Sequence, residues 1–111
     1  MTSEKITKHM QELQLFEQQI HGFLMQKQAL QMELNESLNA LNELEKTKDE
    51  VYKILSGVMM KSDKASLIKD LTEKKKKIEM RIEAISKQEK IIENKAKETR
   101  EELDKLMKKK E

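Results

Sequence analysis

The chain has 111 residues, 36% hydrophobic and 40% charged, with two glycines, no proline and no cysteine. That composition suits at most one domain, and points to coiled coil or long helix rather than a compact core. It excludes a disulfide framework and any thiolate site, while a net charge of only +2 and regularly spaced apolar residues argue against a disordered chain.

The first residues, Met1-Thr2-Ser3-Glu4-Lys5-Ile6, lack the apolar stretch of a signal peptide, and no apolar run approaches membrane-spanning length. The expectation is a soluble, cytoplasmic protein with no membrane partner. A 3.5-residue period begins at once. Steps of seven give Ile6, Leu13, Ile20, Lys27, Leu34 and Leu41; three residues beyond each lie His9, Phe16, Phe23, Leu30, Ser37 and Leu44. Nine of these twelve positions are apolar, a sustained heptad seam. Met10, Leu24 and Leu38 widen the stripe on one side, which predicts contacts beyond a single narrow seam. Lys46 and Lys48 suit the C-terminal end of this helix, and Ser62 or Asp63 is placed to cap the start of the next.

Between the two arms lies Val51-Tyr52-Lys53-Ile54-Leu55-Ser56-Gly57-Val58-Met59-Met60. Seven of its ten residues are apolar, and Ser56-Gly57 sits at the centre, where glycine admits the positive φ of a two-residue hairpin turn. Met and Leu also favour helix, and the alternation is imperfect, so a helical segment is the competing reading. An isolated two-stranded hairpin is marginal in water and its unpaired edges recruit further strands. The chain is therefore expected to complete itself by joining other subunits.

The second arm repeats the heptad. One series is Leu71, Ile78, Ile85, Ile92, Thr99 and Leu106; the other is Ile68, Lys75, Ile82, Glu89, Ala96 and Leu103. Glu/Lys pairs four apart (Glu73/Lys77, Glu83/Lys87, Glu93/Lys97, Glu101/Lys105) are expected to add a few tenths of a kcal/mol each. Residues 1–50 carry five Lys or Arg against nine Asp or Glu, whereas residues 61–111 carry seventeen against twelve. Arms of opposite sign attract when laid side by side, although exposed pairs contribute little individually; two independently solvated helices are the alternative. The predicted fold is mainly α: a long antiparallel coiled-coil helical hairpin with a short β-hairpin between the helices, oligomerising through that β-hairpin. The expected elements, in a single domain over 1–111, are a helix over about 4–48, a hairpin over about 51–61 and a helix over about 63–109. At ~1.5 Å per residue each arm is expected to be roughly 60 Å long, with both termini at the far tip.

Enzymatic chemistry finds little support. The sequence holds no phosphate-binding glycine loop, and His9 and His21, its only histidines, are too far apart for a ligand pair, so no metal or cofactor is expected. Lys74-Lys75-Lys76-Lys77 and Lys108-Lys109-Lys110 raise nucleic-acid binding. Consecutive helical lysines radiate around the axis, however, and the second arm has no aromatic residue for stacking. A solvated helical surface is the preferred reading. The tip is the candidate binding site: Ile6, Met10, Leu13 and Phe16 near one terminus, Leu103, Leu106 and Met107 near the other. Terminal turns open at little cost, and methionine adapts to varied apolar partners. The plainer account makes these the last residues of an ordinary seam.

The stretches QKQALQMELNESLNALNELEK, VYKILSGVMMKSDK and IKDLTEKKKKIEMRIEAISKQE resemble the β-type subunits of the prefoldin family, and the likeness runs over nearly the whole chain. The hairpin with Val51-Tyr52-Lys53 and Gly57-Val58 is its more specific part; Ser56 departs from it, where many relatives are expected to have a second glycine. The resemblance implies a hexameric, ATP-independent chaperone of two α-type and four β-type subunits. Its hairpins would form a β-barrel platform, and its tips would hold unfolded client proteins and pass them to a group II chaperonin. An α-type chain would have two hairpins, whereas residues 47–62 have room for one. Carried onto this sequence, Val51, Tyr52, Ile54, Leu55, Gly57, Val58, Met59 and Met60 would form the oligomerisation surface. Ile6, Met10, Leu13, Phe16, Leu103, Leu106 and Met107 would contact clients. A coiled-coil adaptor or tether for one defined partner, and more weakly a basic nucleic-acid-binding arm, are the alternatives.

Overall fold

The computed structural model describes residues 2–47, 51–55 and 57–109, with the side chains of Ile54, Leu55 and Lys109 excepted. Lys48 and Ser56, assigned above to a helix end and to the turn, lie outside the described residues, as does Lys110. The element order is α1 (Thr2–Lys46), β1 (Val51–Leu55), β2 (Val58–Ser62) and α2 (Lys64–Lys109). The chain is thus mainly helical, with two long helices and a short antiparallel β-hairpin between them. No helix among the described residues is long and apolar enough to cross a membrane.

Two compact units are present, Met1–Gln28 with Glu83–Glu111, and Ala29–Ile82. In the first, α1 and α2 segments run antiparallel: His9 meets Glu102, Glu17 meets Arg100 and Lys27 meets Glu89. Ala96 and Leu103 are buried there, with Thr99 beside them as a buried polar seam residue. The second unit holds the hairpin, and Leu30, Ile78 and Ser37 are its buried residues.

The heptad reading locates these contacts. Every seam position named in both series is buried or half-buried, whereas most other helical positions are exposed. Because each α-helix presents a stripe to one neighbour, few side chains lose all contact with water. One expectation needs correction. Met10, Leu24 and Leu38 do not widen the seam; all three are exposed, Met10 at 56%. Two facing helices fill only the stripe between them, and a third neighbour would be needed to cover the flank.

The helix boundaries follow local chemistry. At the end of α1, Thr47 N–H donates to the Glu43 carbonyl at 3.0 Å, and Lys64 Nζ donates to the Thr47 carbonyl at 2.9 Å. A cation there also complements the C-terminal end of the helix dipole. Ser62 is the last residue of β2, so of the two cap candidates Asp63 stands at the start of α2. Its carbonyl accepts the Leu67 N–H at 3.0 Å, and the Ser66 hydroxyl donates to its carboxylate at 3.3 Å.

Residues 51–55 and 58–62 are strand, not helix. The register is Val51↔Ser62, Tyr52↔Lys61, Lys53↔Met60, Ile54↔Met59 and Leu55↔Val58. The last pair encloses a two-residue connection containing Gly57, whose φ is +80°. Only glycine takes that conformation at no steric cost; other L-residues lose roughly 1–2 kcal/mol. A Cβ at Gly57 would meet nothing within 4 Å, so the cost of a side chain is conformational rather than a clash. Gly57→Ala is therefore expected to destabilise the hairpin by about 1 kcal/mol, and Gly57→Asn by clearly less, since Asn tolerates this region. Denaturant midpoints of the assembled protein check this; equal stability of the alanine variant would contradict it.

The two arms do not attract simply through opposite sign. Glu17–Arg100 at 3.8 Å follows the acidic-to-basic direction, but Lys27–Glu89 at 2.7 Å runs against it. Of the four Glu/Lys pairs expected along α2, Glu83–Lys87 is within ion-pair distance, at 3.6 Å. The other three are not paired, and Lys75–Glu79 at 4.0 Å appears instead. Long solvated side chains lose about as much rotamer freedom as such contacts return.

Candidate functional site

The hairpin offers the first candidate surface. Alternation along a strand puts Val51, Lys53, Met60 and Ser62 on one face and Tyr52, Met59 and Lys61 on the other. Val51 and Lys53 are half-buried, and Lys53 Nζ lies 3.8 Å from the Asp70 carboxylate. Tyr52, Val58, Met59 and Met60 are exposed, from 50% for Met60 to 66% for Met59; Gly57 is exposed at the turn. Of Ile54 and Leu55 only the backbone is described, as strand residues. Apolar side chains thus stand in solvent on both faces of a two-stranded sheet whose outer edges have no strand partner among the described residues. Single exposed apolar residues are ordinary, but a contiguous group on an open-edged sheet marks an interaction surface.

Where the hairpin meets the helices, Leu44, Tyr52, Leu67 and Leu71 line a surface depression together with Ala40 and Lys74. Leu44 and Leu71 are seam residues from opposite arms, brought together here as an antiparallel helical hairpin requires. The depression lets the Tyr52 ring reach apolar surface while the residue remains half open to solvent.

The second candidate surface lies in the unit formed by the start of α1 and the end of α2. The seven tip residues divide into two groups. Leu103 is buried, and Ile6, Leu13, Phe16 and Leu106 are half-buried, as seam positions should be. Met10 and Met107, at 56% and 53% exposure, point away from the seam. Met10, Leu13 and Leu103 come together in an open groove of about 580 Å³, whose rim is Thr7, Gln11, Gln14 and Glu17. The heptad pattern does not mark this polar rim, neutral except for Glu17, or Leu15, which is 54% exposed. Neither lies on the seam, and nothing but distance from it marks them.

On the other side of the same helix ends, His9 Nε2 and Glu102 Oε2 are 2.9 Å apart. The His9 ring is mostly covered, and its Nδ1 is buried without a partner. Among the described residues no group of three or more histidines and carboxylates is placed to hold a metal ion. Two exposed apolar surfaces on a helical scaffold can bind polypeptide.

The family profile described as "Prefoldin subunit" matches residues 4–110. The chain belongs to the prefoldin family. It is 37% identical over 89 residues to the prefoldin subunit beta of Thermococcus onnurineus, covering 78% of this chain and 77% of that one. Against the prefoldin subunit beta of Archaeoglobus fulgidus the identity is 35% over 98 residues, covering 86% and 84% respectively. The crystal structure of the prefoldin beta subunit from Thermococcus strain KS-1 superposes with a TM-score of 0.85 at 30% identity, covering 90% of each chain. Family membership makes this chain a non-enzymatic chaperone component that assembles with other prefoldin subunits. The hairpin predicted between the helices is present, as the likeness to β-type subunits implied.

Proposed function

We propose that this chain is the β-type subunit of a hexameric, ATP-independent holding chaperone, in the cytoplasm, with two α-type and four β-type chains. Its tips hold unfolded proteins and deliver them to a group II chaperonin. The observation that carries the reading is the pairing of two features in one prefoldin-family chain. One is a strand hairpin with no further strand partner among the described residues and with exposed Val58, Met59 and Met60; the other is an apolar groove at the helix ends with Met10 at its lip. The first supports assembly through Val51, Tyr52, Ile54, Leu55, Gly57, Val58, Met59 and Met60.

The second supports client contact. Met10 and Met107 are available without rearrangement, and the half-buried Ile6, Leu13, Phe16 and Leu106 become available when the terminal turns fray. Thioethers are flexible and polarizable, which suits them to clients of many shapes. Several weak tips acting together reach useful avidity without a deep pocket.

Breadth of binding tests the proposal against a tether for one partner. Assembled with an α-type subunit, the chain is expected to suppress aggregation of several unrelated denatured proteins, without nucleotide and at near-stoichiometric amounts. Light scattering on dilution from denaturant measures this. Protection of none of them, with tight binding to one folded protein, would establish the tether instead.

A further inference from the structure

We propose that the tips select among unfolded segments by charge, through a cationic face that prefers acidic segments carrying an apolar residue. This deepens the holding function proposed above and rests on it. Opposite the methionine-lipped groove, a depression of about 440 Å³ is lined by Lys5, Lys8, His9, Glu102, Lys105 and Leu106. Three lysines from two helices therefore line the same depression as one apolar side chain. Glu102 supplies the lining's only carboxylate, and it is already engaged by His9 at 2.9 Å.

Lys5, Lys8 and Lys105 are exposed, and none has an ion-pair or hydrogen-bond partner among the described residues. The Glu101/Lys105 pair expected four residues apart is not formed, which leaves Lys105 uncommitted. Glu12 and Glu98, one helical turn inward from Lys8 and Glu102, bound the patch and confine it to the last turns.

The groove on the other side is unlike this one, with Met10, Leu13 and Leu103 under a rim that is neutral except for Glu17. The tip thus has two chemically distinct sides, one reading apolarity alone and the other apolarity beside negative charge. A peptide fits the cationic side better than a nucleic acid does. Leu106 offers an apolar side chain a seat, and no Phe, Tyr or Trp lines the depression to stack a base. Exposed charges act mainly through steering and selection, and salt screens them.

Three fluorescein-labelled peptides with the same leucine and phenylalanine spacing, and glutamate, glutamine or lysine between, test this by anisotropy on the full-length chain assembled with an α-type subunit. The glutamate peptide is expected to bind about tenfold more tightly than the lysine one at low salt, with the difference shrinking severalfold at 0.5 M NaCl. The triple variant Lys5→Gln/Lys8→Gln/Lys105→Gln should lose that preference and keep its affinity for the glutamine peptide. Equal affinity for all three peptides would overturn the charge selection and leave the holding function standing. Failure to bind any peptide would overturn both, and tighter binding of an RNA oligonucleotide than of the glutamate peptide would overturn the assignment of the partner.

Discussion

Deleting residues 51–61, or replacing Val58, Met59 and Met60 together by serine, is expected to leave a helical chain that no longer enters a discrete complex with an α-type prefoldin subunit. The three side chains stand half or more in solvent and are not needed to hold this chain together. A fully buried aliphatic or thioether side chain contributes about 1.5–3 kcal/mol. Three per copy therefore amount to several kcal/mol, on the order of a thousandfold or more in dissociation constant. Native mass spectrometry of the mixture, with circular dichroism for helix content, separates assembly from folding. A hexamer persisting after the deletion would remove the hairpin from its proposed role.

The second large effect belongs to the opposite end of the helices. Removing residues 1–16 and 100–111 together is expected to preserve the complex, because the hairpin and the second unit's buried residues, Leu30 and Ile78, are untouched. Suppression of client aggregation should be abolished. A milder version avoids any concern over truncation. Met10→Ser with Met107→Ser changes only exposed positions, so the helices should keep their stability while capture by a single tip weakens by roughly tenfold. Several tips sharing one client would amplify that loss. Undiminished holding by the truncated complex would mean that clients bind elsewhere.

Much of the fold was legible because heptad spacing is a geometric signal that survives without knowledge of the partner helix. The two series beginning at Ile6 and Ile68 coincide with the covered faces of α1 and α2, polar members included. The strand reading of 51–60 rested on its apolar run and on Ser56-Gly57 at the centre, and the register closes around Gly57. What sequence could not supply was the pairing of individual groups. Lys27 and Glu89 each looked like a defect in its own series, and only the antiparallel alignment shows that they meet. The expected Glu/Lys ladder along α2 was mostly absent, because spacing permits a contact that solvent competes away. The flank with Met10, Leu24 and Leu38 was misread for a related reason. Apolar residues beside a seam do not reveal whether they face the neighbouring helix or water.

The Lys27–Glu89 bridge has a consequence for error correction. It occupies one layer of a mostly apolar zipper, and both side chains are largely withdrawn from water. Sliding one strand of the zipper by seven residues would set Lys27 against Ala96 in one direction, or Glu89 against Ile20 in the other. Either slip would strand a charge in hydrocarbon, a penalty on the order of a few kcal/mol. A uniformly aliphatic zipper would tolerate such sliding almost freely. Here the staggered arrangement is disfavoured, so Lys27 and Glu89 hold the two helices in one alignment whenever they close.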